Sequence, residues 1–308
     1  MKTYFNSSKG FLQCYNWEPN CWVNVECPTD AEKSYLINEL NIPEPYINDI
    51  EDVDERPRIE LEDGWFLILM RIPYKNEVES LPFSTVPIGL IFKDDIFVSV
   101  CFHKTEMLDD FIHYGKRKNI SITNNFDLVF KLLLSSSVWF LKYLKQINQR
   151  IKLAENQLEK SIKNEELQAL LQIEKCLVYF TTSLKGNDIL VHRLKNIKDH
   201  RDAFDTELVE DVEIELRQAL ETTNIYSDIL SGMMDAYASV ISNNLNIIMK
   251  QLTSISIILM IPTLVASLYG MNVPNMFQEY RYGFWVVLLI STIFSVSGVL
   301  LFKFKKWF

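Results

Sequence analysis

The stretch LTSISIILMIPTLVASLYGMN, residues 252–272, contains no charged side chain and decides the fold. A second uncharged run, GFWVVLLISTIFSVSGVLLF, occupies residues 283–302. An α-helix needs about 20 predominantly apolar residues to cross the ~30 Å hydrocarbon layer of a bilayer, and both runs have about this length. We therefore predict two membrane-spanning helices at the end of the chain, residues 252–272 and residues 283–303.

The segment between the two runs, residues 273–282, is too short to hold a domain, so an antiparallel hairpin is expected. Its only charged residues are Glu279 and Arg281. The ends of the two runs that point away from this segment are flanked by lysines instead: Lys250, Lys303, Lys305 and Lys306. The positive-inside rule then places both termini, including the basic tail at residues 304–308, in the cytoplasm. Because no signal peptide is visible, we expect a multi-pass plasma-membrane protein with an extracellular loop and a cytosolic N-terminal region.

The charge and the residue types of the chain argue against several classes of function. The net charge is −9 although the tail is basic, and an acidic surface attracts cations and disfavours nucleic acid. The chain has no G-x-x-x-x-G-K-S/T loop, and nothing in it indicates an organic cofactor or an enzyme. The five cysteines include no C-x-x-C pair, so reduced thiols are expected instead of a disulfide framework or a zinc knuckle.

Residues 1–124 are predicted to form an α/β domain with five to seven strands. Its β-like runs are Cys21–Glu26, Trp65–Ile72, Thr85–Phe92 and Ile96–Phe102, and helix starts are indicated at Thr29 and Pro43. From Asn125 the pattern becomes helical, and residues 125–202 are predicted to form an antiparallel helical pair. The first helix carries a coiled-coil seam at Phe126, Phe130, Leu133, Ser137, Phe140, Leu144, Ile147, Ile151, Ala154 and Leu158.

A third helix is predicted to begin near Ala203, form a cytosolic stalk at residues 203–251, and continue into the membrane as far as Asn272. It would be about 70 residues and about 100 Å long. On one of its faces, mostly polar residues recur in two interleaved series with a spacing of seven. We call this face the polar stripe, and it comprises Asp235, Asn246, Met249, Thr253, Ser256, Met260, Thr263 and Ser267.

Two interpretations of the polar stripe stay open. Small and hydroxylated side chains allow close helix packing in a membrane, and they also suit a water-filled axis surrounded by identical helices. The stacked carboxylates Asp228 and Asp235 on the same face favour the axis, because a dry interface disfavours them. Two spans cannot enclose a channel, so this interpretation needs several copies, with Met249 and Leu252 forming an apolar constriction near the cytosolic end.

The tetrapeptide Tyr269, Gly270, Met271 and Asn272 ends the first of the two spans. This arrangement, after a long charged N-terminal region, resembles the CorA family of magnesium transporters. The likeness extends to further positions around the first span: Asn246, Met249, Lys250, Leu252, Thr253, Pro262 and Thr263. The resemblance implies an α+β membrane protein with an N-terminal cytosolic α/β domain, coiled-coil-like stalk helices, two C-terminal transmembrane helices and a homopentameric assembly.

The resemblance also implies roles for individual residues. Gly270, Met271 and Asn272 would form a selectivity filter that holds a hydrated Mg²⁺, and Asp235 would concentrate cations at the inner mouth. Asp211 is similar in position to an acidic regulatory metal site between subunits, and Asp94 and Asp95 are candidate partners from a neighbouring subunit. Mg²⁺ would then be both the transported ion and the regulator, with uptake driven by the membrane potential.

Two alternatives remain at this stage. The first keeps the fold and changes the transported ion to Zn²⁺, Co²⁺ or Ni²⁺, as in the zinc-transporting relatives that the chain resembles. The second is a membrane-anchored coiled-coil scaffold that transports nothing.

Overall fold

A computed structural model describes residues 1–6, 10–19, 21–76, 81–160, 164–197, 205–272 and 280–305. The chain divides into two units, Met1–Gly232 and Met233–Phe308. The first contains a mixed sheet covered by helices, and the second contains both of the long uncharged runs. The segment boundaries predicted from the sequence remain predictions.

The sheet has seven strands among the described residues: β1 Lys2–Asn6, β2 Leu12–Cys14, β3 Cys21–Glu26, β4 Arg58–Glu62, β5 Trp65–Lys75, β6 Phe83–Lys93 and β7 Ile96–Cys101. Their order is β2-β1-β3-β7-β6-β5-β4, and the β3–β7 pair is parallel while the other neighbours are antiparallel. All four predicted β-like runs form strands, and the predicted strand count is confirmed. The strands β1, β2 and β4 are short and partly exposed, so they lacked the continuous apolar run that marked the others.

Short helices cover one face of the sheet. Helix α1, Asp30–Ser34, continues as a π-helical turn at Tyr35–Glu39 and is followed by α2, Glu44–Glu51. Thr29 caps α1 as predicted, because its hydroxyl accepts the Glu32 N–H at 3.3 Å while the Glu32 carboxylate accepts the Thr29 N–H at 2.9 Å. Apolar side chains of this layer and of the sheet form one buried core that includes Leu36, Tyr46, Ile50, Val23, Leu67, Ile91 and Val98.

Longer helices cover the other face. After α3, Glu106–Lys118, come α4, Asn125–Lys160, and α5, Asn164–Lys195, and both of these long helices pack against β5 and β6. Asn124 caps α4 by accepting the Asp127 N–H at 2.9 Å. All ten residues of the predicted seam are buried, so the heptad spacing located the core face of α4 correctly.

A buried polar network joins the sheet to α5. The Arg71 N–H donates to Oδ1 of Asn187 at 3.0 Å, and Nδ2 of Asn187 donates to the Arg71 carbonyl oxygen at 2.7 Å. The Arg71 guanidinium donates to the carbonyl oxygens of Val53, Glu55 and Thr85. Burial lowers the pKa of Arg71 from its ordinary value, because the charged form loses its water. Neutral oxygens therefore stabilise the guanidinium inside the domain.

The chain closes with α6, Thr206–Tyr269, and α7, Gly283–Phe304. Both are long and apolar enough to cross a membrane, with mean hydropathies of 1.9 and 2.3 in their most apolar windows. Helix α6 spans its range without interruption, although Pro262 lies inside it and lacks the N–H that would bond the preceding turn. The predicted start near Ala203, residues 273–279 of the loop and residues 306–308 of the tail lie outside the described residues.

The network around Arg71 predicts a large effect of one buried side chain. Asn187→Ala removes both hydrogen bonds to the β5 backbone and leaves a buried N–H and a buried carbonyl unpaired, at a cost of about 2–4 kcal/mol in the free energy of unfolding. Asn196→Ala, which removes an exposed amide, is the matched control and is expected to change little. Urea unfolding of the full chain, followed by tryptophan fluorescence, checks this, and equal unfolding midpoints for the two variants would contradict it.

Candidate functional site

The polar stripe lies entirely on α6, and its side chains are exposed in the single chain. Met249, Met260 and the neighbouring Leu252 expose 64%, 68% and 65% of their surface. Large apolar side chains with this exposure need lipid or another protein surface as a partner. The structure therefore presents the stripe on an outer face of the hairpin formed by α6 and α7.

The face of α6 that contacts α7 is a different one. A Cβ atom placed on Gly298 of α7 would lie 3.5 Å from Cδ1 of Ile261 and 3.7 Å from Cγ1 of Ile258. Ser254, which is fully buried, lies on the same side of α6 as these two isoleucines. At about 100° per residue, the centre of the stripe lies about 150° around the helix from this face. The hairpin thus packs through apolar residues and leaves the stripe on the far side.

A cavity of ≈ 560 Å³ lies between α6 and α7 and is mostly apolar. From α6 it is lined by Pro262, Val265, Ala266, Tyr269 and Gly270. Of the predicted filter and stripe residues, all of which are described, Gly270 borders this cavity and the others do not. The cavity therefore belongs to the packing of the hairpin and not to the stripe.

Three hydroxyl groups of the stripe are bonded to their own helix. Thr253 donates to the Met249 carbonyl at 2.8 Å, Ser256 to the Leu252 carbonyl at 2.9 Å, and Thr263 to the Leu259 carbonyl at 3.1 Å. Each hydroxyl proton is thereby used within the helix, while the oxygen lone pairs remain free to accept. The stripe accordingly presents hydrogen-bond acceptors, which suit the outward-pointing hydrogens of the water around a cation.

The predicted filter follows directly on the end of α6. The Gly270 N–H still donates to the Ala266 carbonyl at 2.9 Å, and Met271 and Asn272 are exposed beyond it. Neither Gly270 nor Asn272 has the left-handed backbone that glycine or asparagine provides at many helix ends. The helix end thus makes no use of the conformational freedom of Gly270, which leaves its small size as the property that distinguishes it.

The predicted regulatory carboxylates lie in the first unit. Asp94 and Asp95 form the exposed turn between β6 and β7, and Asp94 adopts a left-handed φ of 49°. Asp95 borders a polar cavity of ≈ 400 Å³ whose other lining residues include Asn6, Thr123, Asn124 and Asn125. These neighbours could not be recognised from the sequence, because Asn6 lies on β1 and the other three lie at or just before the start of α4, so only the folded domain brings them near Asp95.

Asp211 is exposed on α6, close in sequence to Glu213, which accepts from Nζ of Lys195 at 2.8 Å. Within the described part of the chain, no ion pair involves Asp211. Among those same residues, Asp94, Asp95 and Asp211 do not form a group with ligand atoms close enough to share an ion. A metal site that combined them would need carboxylates from more than one chain.

The fold and the exposed helices define a membrane protein with a large folded N-terminal domain and two C-terminal spans. A family model described as "CorA-like Mg2+ transporter protein" matches residues 17–306. The chain therefore belongs to the CorA-like Mg²⁺ transporter family, whose members are transporters and not enzymes. The resemblance inferred from the Gly-Met-Asn motif is confirmed.

Curated relatives with transport functions in their names align with this chain along nearly its whole length. The chain is 24% identical over 294 residues to "Cobalt/magnesium transport protein CorA" of Methanocaldococcus jannaschii, covering 93% of this chain and 90% of that protein. It is 25% identical over 294 residues to the protein of the same name from Thermotoga maritima, covering 93% and 83%. The match therefore includes both the folded domain and the spans.

Solved structures agree on the fold. The complete CorA magnesium transporter from Methanocaldococcus jannaschii superposes with a TM-score of 0.83 at 22% identity, covering 100% of this chain and 99% of that one. The cytoplasmic domain of ZntB from Vibrio parahaemolyticus superposes with a TM-score of 0.62 at 12% identity, covering 79% and 98%. The predicted fold class is thereby confirmed, while the number of copies in the assembly remains a prediction.

Proposed function

We propose that this protein forms a cation channel in which copies of α6 surround a water-filled axis, with the polar stripe facing that axis. The observation that carries the proposal is the position of the stripe, which lies on the face of α6 opposite α7. Polar groups facing hydrocarbon lack partners, whereas the same groups facing a wet axis have water. In the described part of the hairpin, the hydroxyl groups of Thr253, Ser256 and Thr263 bond to carbonyl oxygens of α6 itself.

We propose a homopentamer as the assembly, in line with the family to which the chain belongs. One hairpin cannot enclose an axis, so identical chains are arranged around it, with α6 innermost and α7 toward lipid. Closed rotational symmetry then turns each residue of the stripe into a ring. The uniformly apolar α7, with its mean hydropathy of 2.3, suits the outer position.

Asn272 would form the selective ring at the outer mouth. Magnesium prefers six oxygen ligands and sheds its water reluctantly, so it passes a pore most easily with its hydration shell in place. Carboxamide oxygens of Asn272 accept hydrogen bonds from that shell without replacing it. Gly270, two residues earlier in the chain, adds no side chain next to this ring, which would leave room for an ion of hydrated size.

The cytosolic end of the stripe would hold the gate. Met249 and Leu252 present large apolar side chains that are mostly exposed in the single chain, and rings of such side chains close a pore by excluding water. The sulfur of methionine is a soft ligand that binds Mg²⁺ poorly, so Met249 and Met260 act by their bulk. Asp235, below the constriction, raises the local concentration of cations.

Mg²⁺ is the ion that this site fits best. The stripe and the filter offer oxygen acceptors, and neither contains the histidine or cysteine that binds zinc-type ions strongly. The names of the relatives include both cobalt and magnesium, and a hydrated Co²⁺ fits the same rings. The alternative of Zn²⁺, Co²⁺ or Ni²⁺ as the physiological ion is therefore tested by competition.

The membrane potential would supply the driving force. With both termini in the cytoplasm of a cell whose interior is negative, a divalent ion gains about 4.6 kcal/mol per 100 mV on entering, twice the value for one charge. A potential of ordinary size thus concentrates the ion without a second energy source. The protein then needs a closing signal, since an open pore would also discharge the membrane.

Intracellular Mg²⁺ would provide that signal at Asp211. This carboxylate lies on the same uninterrupted helix as the gate residues Met249 and Leu252. Mg²⁺ shared between Asp211 and the carboxylates Asp94 or Asp95 of a neighbouring subunit would offset their mutual repulsion and hold the closed state. Loss of that ion when cytosolic Mg²⁺ falls would release α6 and open the pore.

The filter assignment predicts that Asn272→Ala abolishes most of the flux. Purified protein is reconstituted in liposomes, and Mg²⁺ uptake is followed under an inside-negative potential. Thr292→Ala on α7 is the matched control, because its hydroxyl is exposed and bonded to its own helix at 2.8 Å. The variant at Asn272 is expected to lose flux by about tenfold or more, as removal of one determining polar ligand does elsewhere, while the control keeps it.

Unchanged flux in Asn272→Ala would contradict the filter assignment. An absence of Mg²⁺, Co²⁺, Ni²⁺ and Zn²⁺ flux in the unmodified protein would instead favour the scaffold alternative. Strong inhibition of Mg²⁺ uptake by equal Zn²⁺, with faster Zn²⁺ uptake, would favour a zinc transporter.

The regulatory assignment predicts that Asp211→Asn shifts the inhibition of current by cytosolic Mg²⁺ to higher concentrations. Loss of one negative ligand weakens the binding of a divalent ion, and a shift of about tenfold is expected. Currents in inside-out patches, with graded Mg²⁺ in the bath, measure it. Glu210→Gln is the matched control, since Glu210 is the adjacent exposed carboxylate on α6. Equal inhibition in both variants would contradict the role of Asp211.

A further inference from the structure

Two thiols and a carboxylate converge at the edge of the sheet, far in sequence from the stripe. Within the described part of the chain, Cys14, Glu18 and Cys21 form the one group of His, Cys, Asp or Glu side chains that each place a ligand atom within 4.8 Å of the others. The conduction mechanism uses none of these three residues. We propose that they form a binding site for a divalent transition-metal ion of the zinc type.

The strand register explains why the two cysteines meet. Cys14 on β2 pairs with Tyr4 on β1, and Cys21 on β3 pairs with Asn6 on β1. Because Tyr4 and Asn6 are two residues apart on one strand, both cysteines lie on the same face of the sheet, on either side of β1. Their thiols therefore approach each other across the middle strand.

The turn before β3 adds the carboxylate. The Cys21 N–H donates to the Glu18 carbonyl oxygen at 3.0 Å, which closes the chain into a turn and brings Glu18 next to Cys21. Cys21 is buried, Cys14 is half-buried and Glu18 is exposed, so the group has a protein side and a solvent side. This arrangement gives an ion a path from solvent and leaves a position for a water molecule.

The donor set decides which ion the site takes. Tetrahedral zinc sites combine thiolate sulfur at about 2.3 Å with carboxylate oxygen at about 2.0–2.2 Å, which places neighbouring ligand atoms about 3.3–3.8 Å apart. Ligand atoms already within 4.8 Å need only a small contraction to reach these separations. Mg²⁺ requires oxygen ligands in an octahedron and is excluded by the two sulfurs. On binding, each thiol releases its proton to water as its metal–sulfur bond forms.

A bound ion would tie the edge of the sheet together. Strand β2 pairs with β1 and lies at the end of the sheet order, next to exposed residues such as Tyr15, which is 99% exposed. An ion held by Cys14 and Cys21 links β2 to β3 across β1 and adds its binding energy to the folded state. The site is independent of the proposed channel, since it needs neither the membrane nor a second chain.

Cobalt is the probe, because Co²⁺ bound by thiolates gives an intense charge-transfer absorption that oxygen ligands do not give. The full-length protein, purified in detergent with reduced thiols, is titrated with Co²⁺ in excess Mg²⁺, which occupies the oxygen sites of the pore. The expected result is a thiolate band that saturates at about one Co²⁺ per chain and is displaced by Zn²⁺. Mg²⁺ is expected not to displace it.

Three variants assign the band to these residues. Cys14→Ser, at a half-buried position, is expected to abolish it, while Cys27→Ser, which removes the exposed thiol after β3, is expected to retain it. Glu18→Gln, an isosteric change at an exposed position, is expected to weaken Co²⁺ binding by about tenfold or more. The proposal is overturned if the reduced protein gives no thiolate band, if Cys14→Ser keeps it, or if Cys27→Ser loses it. Unweakened binding in Glu18→Gln would overturn the part played by the carboxylate.

Discussion

The arrangement of the membrane-spanning part is governed by a polar face of α6 that points away from α7 in the described part of the hairpin. Ile258 and Ile261 lie against α7, and among the described residues the hydroxyl groups of Thr253, Ser256 and Thr263 donate to carbonyl oxygens of their own helix. A lipid environment offers these oxygens nothing to accept. In the proposed assembly, water along a central axis would satisfy these oxygens, and several copies of the chain would be needed to enclose that axis.

Sequence patterns predicted the features that depend on interactions between residues close together in the chain. The two uncharged runs, the heptad seam of α4 and the helix start at Thr29 were all recognisable, because each depends on spacing within one helix. The Gly-Met-Asn motif identified the family, and the helical repeat selected the stripe residues. Their roles in conduction and regulation remain proposals, because rings form only between chains.

The features that the sequence did not reveal depend on contacts between distant segments. The short strands β1, β2 and β4 carry too few apolar residues to show a pattern. Yet the pairing of β1 with β2 and β3 decides that Cys14 and Cys21 share a face of the sheet. The absence of a C-x-x-C pair argued against a metal knuckle, but that spacing describes a single turn and not two strands flanking a third. The two proposals together give one chain oxygen rings for a hydrated ion and a sulfur site for a softer one.

The most direct test of the central claim compares two serines of α6 that are two residues apart. Ser256→Cys lies on the stripe and Ser254→Cys on the buried face toward α7, and both are treated in liposomes with a charged, water-soluble thiol reagent. Mass spectrometry of the peptide that contains the introduced cysteine measures its modification separately from that of the native cysteines, which lie outside α6. If the stripe faces a wet axis, modification is about tenfold or more faster at Ser256→Cys, because only a thiol in contact with water ionises and reacts. Equal protection of both positions, or faster modification of Ser254→Cys, would contradict it.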